Sequence, residues 1–204
     1  MTIVKSIDSK AQVPKSSDES HASAHEDYRL FGLMAFLIAD GMTFAGFFAA
    51  YLTYKAVNPL SPDAIYELEL PLPTLNTILL LVSSATFHKA GTALKKSQSK
   101  SCQSWLLITA GLGFGFLASQ LFEYFTLPFG LTDNLFASTF YALTGFHGLH
   151  VTLGALMILI VWWQSRSPGG RITSENNFPL EAVELYWHFV DAIWVILFII
   201  LYLL

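Results

Sequence analysis

The stretch TGFHGLHVTLGALMILIVWW, residues 144–163, decides the class of fold. Its apolar residues are not in alternation with polar ones, and it has about the 20 residues that a helix needs to cross a bilayer. Two histidines, His147 and His150, lie within it about one helical turn apart. A polar ring in hydrocarbon is costly unless it has a partner. The segment therefore predicts a membrane-spanning helix and a neighbouring helix that satisfies the imidazoles.

The composition of the whole chain agrees with a membrane protein. Of its 204 residues, 53% are hydrophobic and only 13% are charged, whereas soluble domains carry about 25% charged residues. The formal net charge is −4, and no basic cluster is interleaved with aromatic residues, which disfavours nucleic-acid binding. Cys102 is the single cysteine, so the chain has neither an intrachain disulfide nor a metal site made of several thiolates.

Five apolar runs are long enough to cross a bilayer. They are continuous rather than alternating, which favours helices over the strands of a β-barrel. The predicted fold is therefore an all-α integral membrane bundle of five transmembrane helices. Residues 1–28 are polar and are expected to form a disordered tail without a cleaved signal peptide. The predicted spans within residues 29–204 are 29–54, 73–94, 103–127, 137–164 and 181–204.

The distribution of basic residues predicts the orientation. With five spans, the N-terminal tail and the second and fourth loops share one side, and ten of the eleven Lys and Arg fall there. The other side receives Lys55 together with several acids. The positive-inside rule then places the N-terminus in the cytoplasm and the C-terminus outside.

Small residues recur at four-residue spacing in two of the runs. In lipid, such stripes are typical of helices whose backbones approach closely, and they predict a compact bundle. The stripes are Gly41, Ala45 and Ala49 in the first run and Gly111, Gly115 and Ser119 in the third.

Eight polar or ionisable side chains fall within or at the ends of the runs, where each is expected to face protein rather than lipid. They are Asp40, Gln120, Glu123, His147, His150, Glu184, His188 and Asp191. A rise of about 1.5 Å per residue puts Asp40, His150 and Asp191 in a middle layer. The same rise puts Gln120, Glu123 and His147 in an outer layer and His188 nearer the cytoplasm.

Three interpretations of these residues stay open on the pattern alone. They could join the helices through interhelical hydrogen bonds, each contributing on the order of 1 kcal/mol. They could include the axial ligands of a haem, His150 and His188, although the predicted depths of these two differ by roughly 10 Å. They could also form a proton path.

Several segments resemble subunit III of the haem–copper terminal oxidases. ASTFYALTGFHGLHVTLG and EAVELYWHFVDAIWVILFIILY are similar to the last two helices of that family, and SQLFEYFTLPFGLTDNLF is similar to the helix and loop before them. LPLPTLNTILLLVSSAT and FLIADGMTFAGFFAAYL resemble the two preceding helices. The resemblance covers roughly residues 29–204.

This resemblance implies a fold and a role. The chain is similar to a shorter five-helix form that lacks the first two helices of the longer form. It implies an accessory, non-catalytic subunit without haem or copper, which packs against the catalytic subunit I beside subunit II and holds phospholipids in a cleft. The complex would reduce dioxygen to water with electrons from cytochrome c and pump protons, and this subunit would support proton uptake and stability during turnover. The membrane would be a bacterial plasma membrane or an internal membrane of the thylakoid type.

The resemblance also assigns expectations to single residues. Asp40 stands where the cytochrome-c-oxidising branch usually has a glutamate, in a helix that abuts the catalytic subunit near the entry to a proton channel. An aspartate at this place resembles the quinol-oxidising branch as well. Six of the other polar residues match the family pattern: Glu123, His147, His150, Glu184, His188 and Asp191. His147 and His150 are then interhelical ties rather than metal ligands. A quinol oxidase, a nitric-oxide-reductase complex, or an independent membrane cytochrome or proton-conducting protein are the alternatives.

Overall fold

Five α-helices lie in the part of the chain that the computed structural model describes, which is residues 17–57, 70–133, 135–166, 172–173 and 176–204, with side chains from residue 28 onward. The helices are α1 (Ser17–Val57), α2 (Pro71–Lys95), α3 (Ser99–Thr126), α4 (Leu135–Arg166) and α5 (Phe178–Phe198), and α5 continues as a π-helical turn over Ile199–Leu203. The described residues fall into two compact units, those up to Phe36 and those from Leu37 onward. All side-chain contacts given below lie within residues 37–204.

The expected all-helical membrane bundle is confirmed, and the chain is an integral membrane protein. Among the described residues, four helices are long and apolar enough to cross a membrane: Tyr28–Val57 of α1, then α3, α4, and α5 with its π-helical turn. Hydropathy identifies four spans and not the predicted five, because the hydropathy of α2 is too low. This helix carries Asn76, Ser83 and Ser84 within its apolar run.

The helix boundaries lie close to the predicted ones, with one exception. The helices α2 to α5 begin and end within about four residues of the predicted runs when the π-helical turn is counted as the end of α5. However, α1 begins at Ser17 instead of near residue 29, because hydropathy detects only the apolar part of a helix. Residues 1–16 of the expected tail lie outside the described residues, as do residues 58–69 of the first loop and 167–171 of the fourth loop.

A tight turn joins α2 to α3. Ser97 has a positive φ of 57°, and the backbone N–H of Gln98 donates to the carbonyl of Ala93 at 2.9 Å. This is the Schellman arrangement that ends many helices, with a serine where glycine is usual. The turn places α2 and α3 side by side in opposite directions.

Polar contacts between helix ends show which ends lie together. The Gln103 side-chain amide at the start of α3 donates to the carbonyl of Ser165 at the end of α4, at 3.0 Å. Lys95 at the end of α2 pairs with Glu181 at the start of α5, with 3.1 Å between the charged atoms. The C-terminal ends of α2 and α4 and the N-terminal ends of α3 and α5 therefore share one end of the bundle.

The indole of Trp187 on α5 is fully buried between α3 and α4. A Cβ built on Gly113 of α3 would lie 2.7 Å from the ring, and one on Gly154 of α4 would lie 2.8 Å from it. The Trp187 Nε1–H donates to the Ser83 hydroxyl on α2 at 2.9 Å. One side chain thus contacts three other helices, and the two glycines provide the room for it.

A second tryptophan repeats this arrangement two turns further along α5. Trp194 donates its Nε1–H to the Thr77 hydroxyl of α2 at 3.0 Å. Its ring is perpendicular to Phe116 of α3, with 4.7 Å between centroids. The spacing i, i+7 puts both indoles on one face of α5, which α2 and α3 cover.

The predicted small-residue stripe of the third run is wrong. A Cβ on Gly111 or Gly115 would meet nothing within 4 Å among the described residues, and both glycines are exposed. The closely packed glycine of α3 is Gly113, which lies about 200° around the helix from Gly111. In the first run, a Cβ on Gly41 would be in ordinary contact with the ring of Phe189, at 3.5 Å.

Replacing Gly154 with alanine is expected to destabilise the bundle, because the new methyl group would overlap a ring that is enclosed on all sides. Overpacking of this kind costs about 1–3 kcal/mol. Unfolding in detergent, followed by circular dichroism, measures the loss. The matched control is Gly111→Ala, which should be neutral or slightly stabilising. Equal stability of the two variants would contradict the close packing around Trp187.

Candidate functional site: two acid–histidine clusters

The first cluster joins α1 to α4. Phe44 of α1 is buried, with its ring 5.0 Å from that of Phe146 and 5.1 Å from that of His150 between centroids. These contacts bring Asp40, one turn earlier, to His150: the Nε2 atom lies 3.2 Å from Oδ1 and 3.2 Å from Oδ2. The side chains of His150 and Asp40 are only 9% and 12% exposed. Two of the residues assigned to the middle layer therefore meet.

The hydrogen bonds of His150 fix how many protons this pair holds. Its Nδ1 lies 2.7 Å from the backbone carbonyl of Phe146. A carbonyl only accepts hydrogen bonds, so Nδ1 carries a proton. The contact between Nε2 and Asp40 then needs a second proton, carried by the imidazole or by the carboxyl group. The pair is thus either an ion pair or a neutral acid bonded to a neutral imidazole, and in both cases one proton lies between them.

The second cluster lies between α2 and α5. The Ser84 hydroxyl of α2 lies 2.8 Å from Nδ1 of His188 and donates a short hydrogen bond to the buried carboxyl group of Asp191. His188, which was expected below the middle layer, is thereby joined to Asp191 through Ser84. Asp191 bonds to this serine of α2.

Glu184 extends the second cluster toward the shared end of the helices. Its Oε1 lies 3.2 Å from Nδ1 of His88 on α2 and 3.7 Å from Nε2 of His188. A Cβ on Gly91 of α2 would be 3.0 Å from the other carboxylate oxygen, so the glycine leaves room for the acid. The acid–histidine face at positions i, i+4 and i+7 of α5 therefore meets α2. We call Glu184, His88, His188, Ser84 and Asp191 the α2–α5 polar track.

The residues of the predicted outer layer have separate surroundings. Glu123 accepts a hydrogen bond from the Tyr202 hydroxyl at 3.0 Å, which joins α3 to the π-helical end of α5. Gln120 is buried one turn before Tyr124, whose hydroxyl lies 2.7 Å from that of Thr144 on α4. The contacts of Glu123 and Tyr124 hold α3 against α5 and α4, respectively.

His147 is enclosed by aromatic rings. It is fully buried, with its ring 5.7 Å from Phe116 and 5.0 Å from Trp194 between centroids. Neither ring nitrogen has a hydrogen-bond partner in the described part of the chain, and the same holds for the side chain of Asn76 on α2. The structure thus places His147 among rings, and its part in a polar network stays a prediction.

Hydroxyl groups and one histidine were missed by sequence reasoning. Ser84 and His88 lie four residues apart on α2 and match the spacing of Glu184 and His188 on α5, a signal that could have indicated two facing helix surfaces. Tyr202 gave no comparable signal, because a tyrosine near a helix end is common at membrane interfaces.

The histidine geometry bears on metal binding. A ligating imidazole needs a nitrogen with a free lone pair, whereas both nitrogens of His150 are already engaged by Phe146 and Asp40. His188 bonds through Nδ1 to Ser84. Within the described residues, no three His, Cys, Asp or Glu side chains are grouped so that they could hold a metal ion.

Comparison with known proteins decides the family. The family model described as cytochrome c oxidase subunit III matches residues 12–204. The chain belongs to this family. The resemblance seen in the sequence is confirmed, and the chain is an accessory subunit of a haem–copper oxidase complex, and so part of an oxidoreductase.

Proteins named cytochrome c oxidase subunit 3 are similar to this chain over most of its length. The protein from Synechocystis sp. is 51% identical over 188 residues, which cover 91% of this chain and 80% of the relative. The protein from Thermostichus vulcanus is 46% identical and covers 90% and 91%. The protein from Loxodonta africana is 35% identical and covers 89% and 72%.

Replacing Asp40 with alanine is expected to lower the free energy of unfolding by about 0.6 kcal/mol, the average for an interhelical hydrogen bond in membranes, and by at most about 1.7 kcal/mol. The reason is that Nε2 of His150 loses its partner. Asp40→Asn should cost less, because an amide N–H can donate to the unprotonated Nε2 of a neutral imidazole. Thermal unfolding of both variants in one detergent makes the comparison. An alanine variant as stable as wild type would show that the pair does not hold α1 against α4.

Proposed function

We propose that the chain is the accessory subunit of a proton-pumping oxidase that reduces dioxygen to water with electrons from cytochrome c. In this proposal it packs against the catalytic subunit I, which carries haem and copper, in a complex that also contains subunit II. It binds phospholipid and supports proton uptake and stability during turnover. The observation that carries the proposal is the match to the subunit III family over residues 12–204.

We include α2 as a fifth membrane span. Its 25 residues extend about 37 Å at 1.5 Å per residue, enough for a bilayer core of about 30 Å. Its polar residues Asn76 and Ser83 are buried against other helices. Polar groups that face protein are tolerated within a span, which accounts for the low hydropathy of α2.

The proposed orientation follows from the basic residues at one end of the bundle, where α2 and α4 end and α3 and α5 begin. The side chains of Lys95 and Arg166 mark that end on α2 and α4, and Lys96 and Lys100 lie in and just after the α2–α3 turn. The positive-inside rule assigns this end to the cytoplasm. The loop 127–134 and the C-terminus then face the outside.

We propose that α1 docks on the catalytic subunit. In the most apolar 18-residue stretch of α1, only 17% of the residues are buried, compared with 56% for the corresponding stretch of α5. Large side chains of α1 such as Ile38 and Met42 are exposed. In this proposal the helix of Asp40 abuts the catalytic subunit near the entry to a proton channel, which is the position expected from the resemblance. Phospholipid acyl chains would cover the part of the apolar surface of α1 that the catalytic subunit does not contact. The Asp40–His150 pair, which shares one proton between Nε2 and the carboxyl group, is the group through which we propose that α1 supports proton uptake.

A quinol oxidase is the second candidate. Asp40 supports it, because the acid is one methylene shorter than the glutamate usual in the cytochrome c branch. The two candidates assign the same role to this chain and differ in the electron donor to the complex.

Purification from native membranes through a tag on this chain tests the proposal. We expect a haem- and copper-containing subunit at equal stoichiometry and oxygen consumption driven by reduced cytochrome c. Asp40→Asn should assemble but lose activity sooner during turnover, whereas Thr43→Ala, whose hydroxyl bonds only to its own helix, should behave as wild type. A chain that purifies alone with its own haem absorption band, or an Asp40→Asn complex of normal lifetime, would contradict the proposal. Oxygen consumption with quinol alone would favour the second candidate.

The orientation is testable with an impermeant maleimide on sealed vesicles of known sidedness. Cysteines replacing exposed Lys96 or exposed Thr132 report the two ends of the bundle, while the natural Cys102 is buried and should not react. In vesicles with the outer face outward, we expect labelling of Thr132→Cys only. Labelling of Lys96→Cys instead would reverse the proposed orientation.

A further inference from the structure

We propose that the α2–α5 polar track is a proton relay that carries protons from the exposed side chain of His88 inward to Asp191. This goes beyond the role proposed for Asp40, because the track lies between two other helices and uses none of the atoms of the Asp40–His150 pair. It rests on the proposed function only for the side of the membrane that supplies the protons.

The connected part of the track has a defined direction. A carboxylate only accepts hydrogen bonds, so the Ser84 hydroxyl is the donor in its hydrogen bond to Asp191. Its oxygen then accepts from the Nδ1–H of His188, 2.8 Å away. The hydrogen bonds run from the Nδ1–H of His188 to the hydroxyl of Ser84 and on to the carboxylate of Asp191. Each proton can therefore move one place toward Asp191 without any heavy atom moving far.

The step balances in protons. A proton arrives at Nε2 of His188, and the Nδ1 proton passes to the Ser84 oxygen while the former hydroxyl proton passes to Asp191. The products are a neutral imidazole with its proton on Nε2, an intact serine hydroxyl and a neutral carboxylic acid. No electron is transferred and no bond other than O–H and N–H bonds is made or broken. Rotation of the serine hydroxyl and tautomerisation of the imidazole, which moves its proton from Nε2 back to Nδ1, restore the starting arrangement once Asp191 has released its proton.

The supply end of the relay is the carboxylate of Glu184. Its Oε1 is 3.2 Å from Nδ1 of His88, whose side chain is 77% exposed, and 3.7 Å from Nε2 of His188. The second distance is longer than a hydrogen bond, so the carboxylate must rotate to deliver a proton, and this is the link at which transfer is gated. Because Gly91 has no Cβ, its backbone does not clash with the other oxygen, which lies 3.0 Å from where a Cβ would be.

Burial along the track follows the expected course of a relay. The track begins at an exposed histidine and ends at Asp191, which is 5% exposed. The second oxygen of Asp191, Oδ1, has no hydrogen-bond partner among the described residues. An interhelical tie would need only the bond between Ser84 and Asp191, whereas here an acid and two histidines continue the contacts to the exposed end.

The test is the rate at which Asp191 becomes protonated after an acid jump, measured in the detergent-solubilised complex that contains the full chain. Time-resolved infrared spectroscopy detects the carbonyl band of the carboxylic acid, and Asp191→Asn assigns that band. Solubilisation exposes both ends of the bundle, so an error in the proposed orientation cannot alter the result. The thiol labelling described above detects such an error separately.

Ser84→Ala removes the central hydroxyl and should slow the appearance of the band on the order of a hundredfold, the lower range for a positioned proton-transfer group. Ser84→Thr keeps the hydroxyl and should restore most of the rate. The matched control is Ser104→Ala, an exposed serine of α3 whose hydroxyl bonds to its own helix, and it should leave the rate unchanged.

A wild-type rate in Ser84→Ala would overturn the relay, and so would slowing of Ser84→Thr to the same extent as Ser84→Ala. Glu184→Gln provides a second measurement, because it removes the supply carboxylate at constant size and should slow protonation while the Asp191 band stays at its wild-type position. A wild-type rate in that variant would overturn the relay independently, including in the case that Ser84→Ala does not accumulate in the membrane.

Discussion

The structure depends on one packing constraint, the insertion of the Trp187 indole between two glycines. With the ring between Gly113 and Gly154, α5 can approach α3 and α4 only in one rotation about its axis. The hydrogen bond from Nε1 to Ser83 then fixes the height of α5 against α2. Since Ser84 follows Ser83 directly, the same register brings Ser84 to His188 and Asp191. In lipid, where water does not drive helices together, close van der Waals contact and a buried hydrogen bond are the forces that remain.

The bundle contains two acid–histidine units of similar composition in different surroundings. Asp40 and His150 are both nearly buried, and the imidazole is held at both nitrogens, so its proton has no continuous route outward through the contacts described. His188 has a serine on one side and Glu184 on the other, and the contacts continue to an exposed histidine. The same two residue types therefore form a closed pair on α1 and α4 and an open track on α2 and α5. What separates them is the presence of a hydroxyl between acid and imidazole and of a second acid beyond it.

Much of this architecture could be predicted from the sequence. The apolar runs gave the helices α2 to α5 to within a few residues, because hydrocarbon imposes both a length and a helical backbone. The face of α5 that carries Glu184, His188 and Asp191 followed from a spacing of four and three residues. Its partner surface on α2 was missed although Ser84 and His88 repeat the four-residue spacing, because a serine carries no clear cost in a span and does not stand out in an apolar run. The glycines that mattered were also not those with the regular four-residue spacing. Gly113 and Gly154 are needed because of a ring that belongs to another helix, and only the fold shows which helix that is. His147 shows the limit of pairing arguments, because aromatic rings and not polar groups surround it.

A double-mutant cycle on Trp187 and Ser83 tests the central claim most directly. The free energy of unfolding in detergent would be measured for Trp187→Phe, Ser83→Ala and the double variant. We expect the losses not to be additive, with a coupling energy of about 0.6 kcal/mol, the average for a hydrogen bond between membrane helices, and at most about 1.7 kcal/mol. Losses that add to within about 0.3–0.5 kcal/mol would contradict the claim, because the indole would then not be fixing α5 against α2.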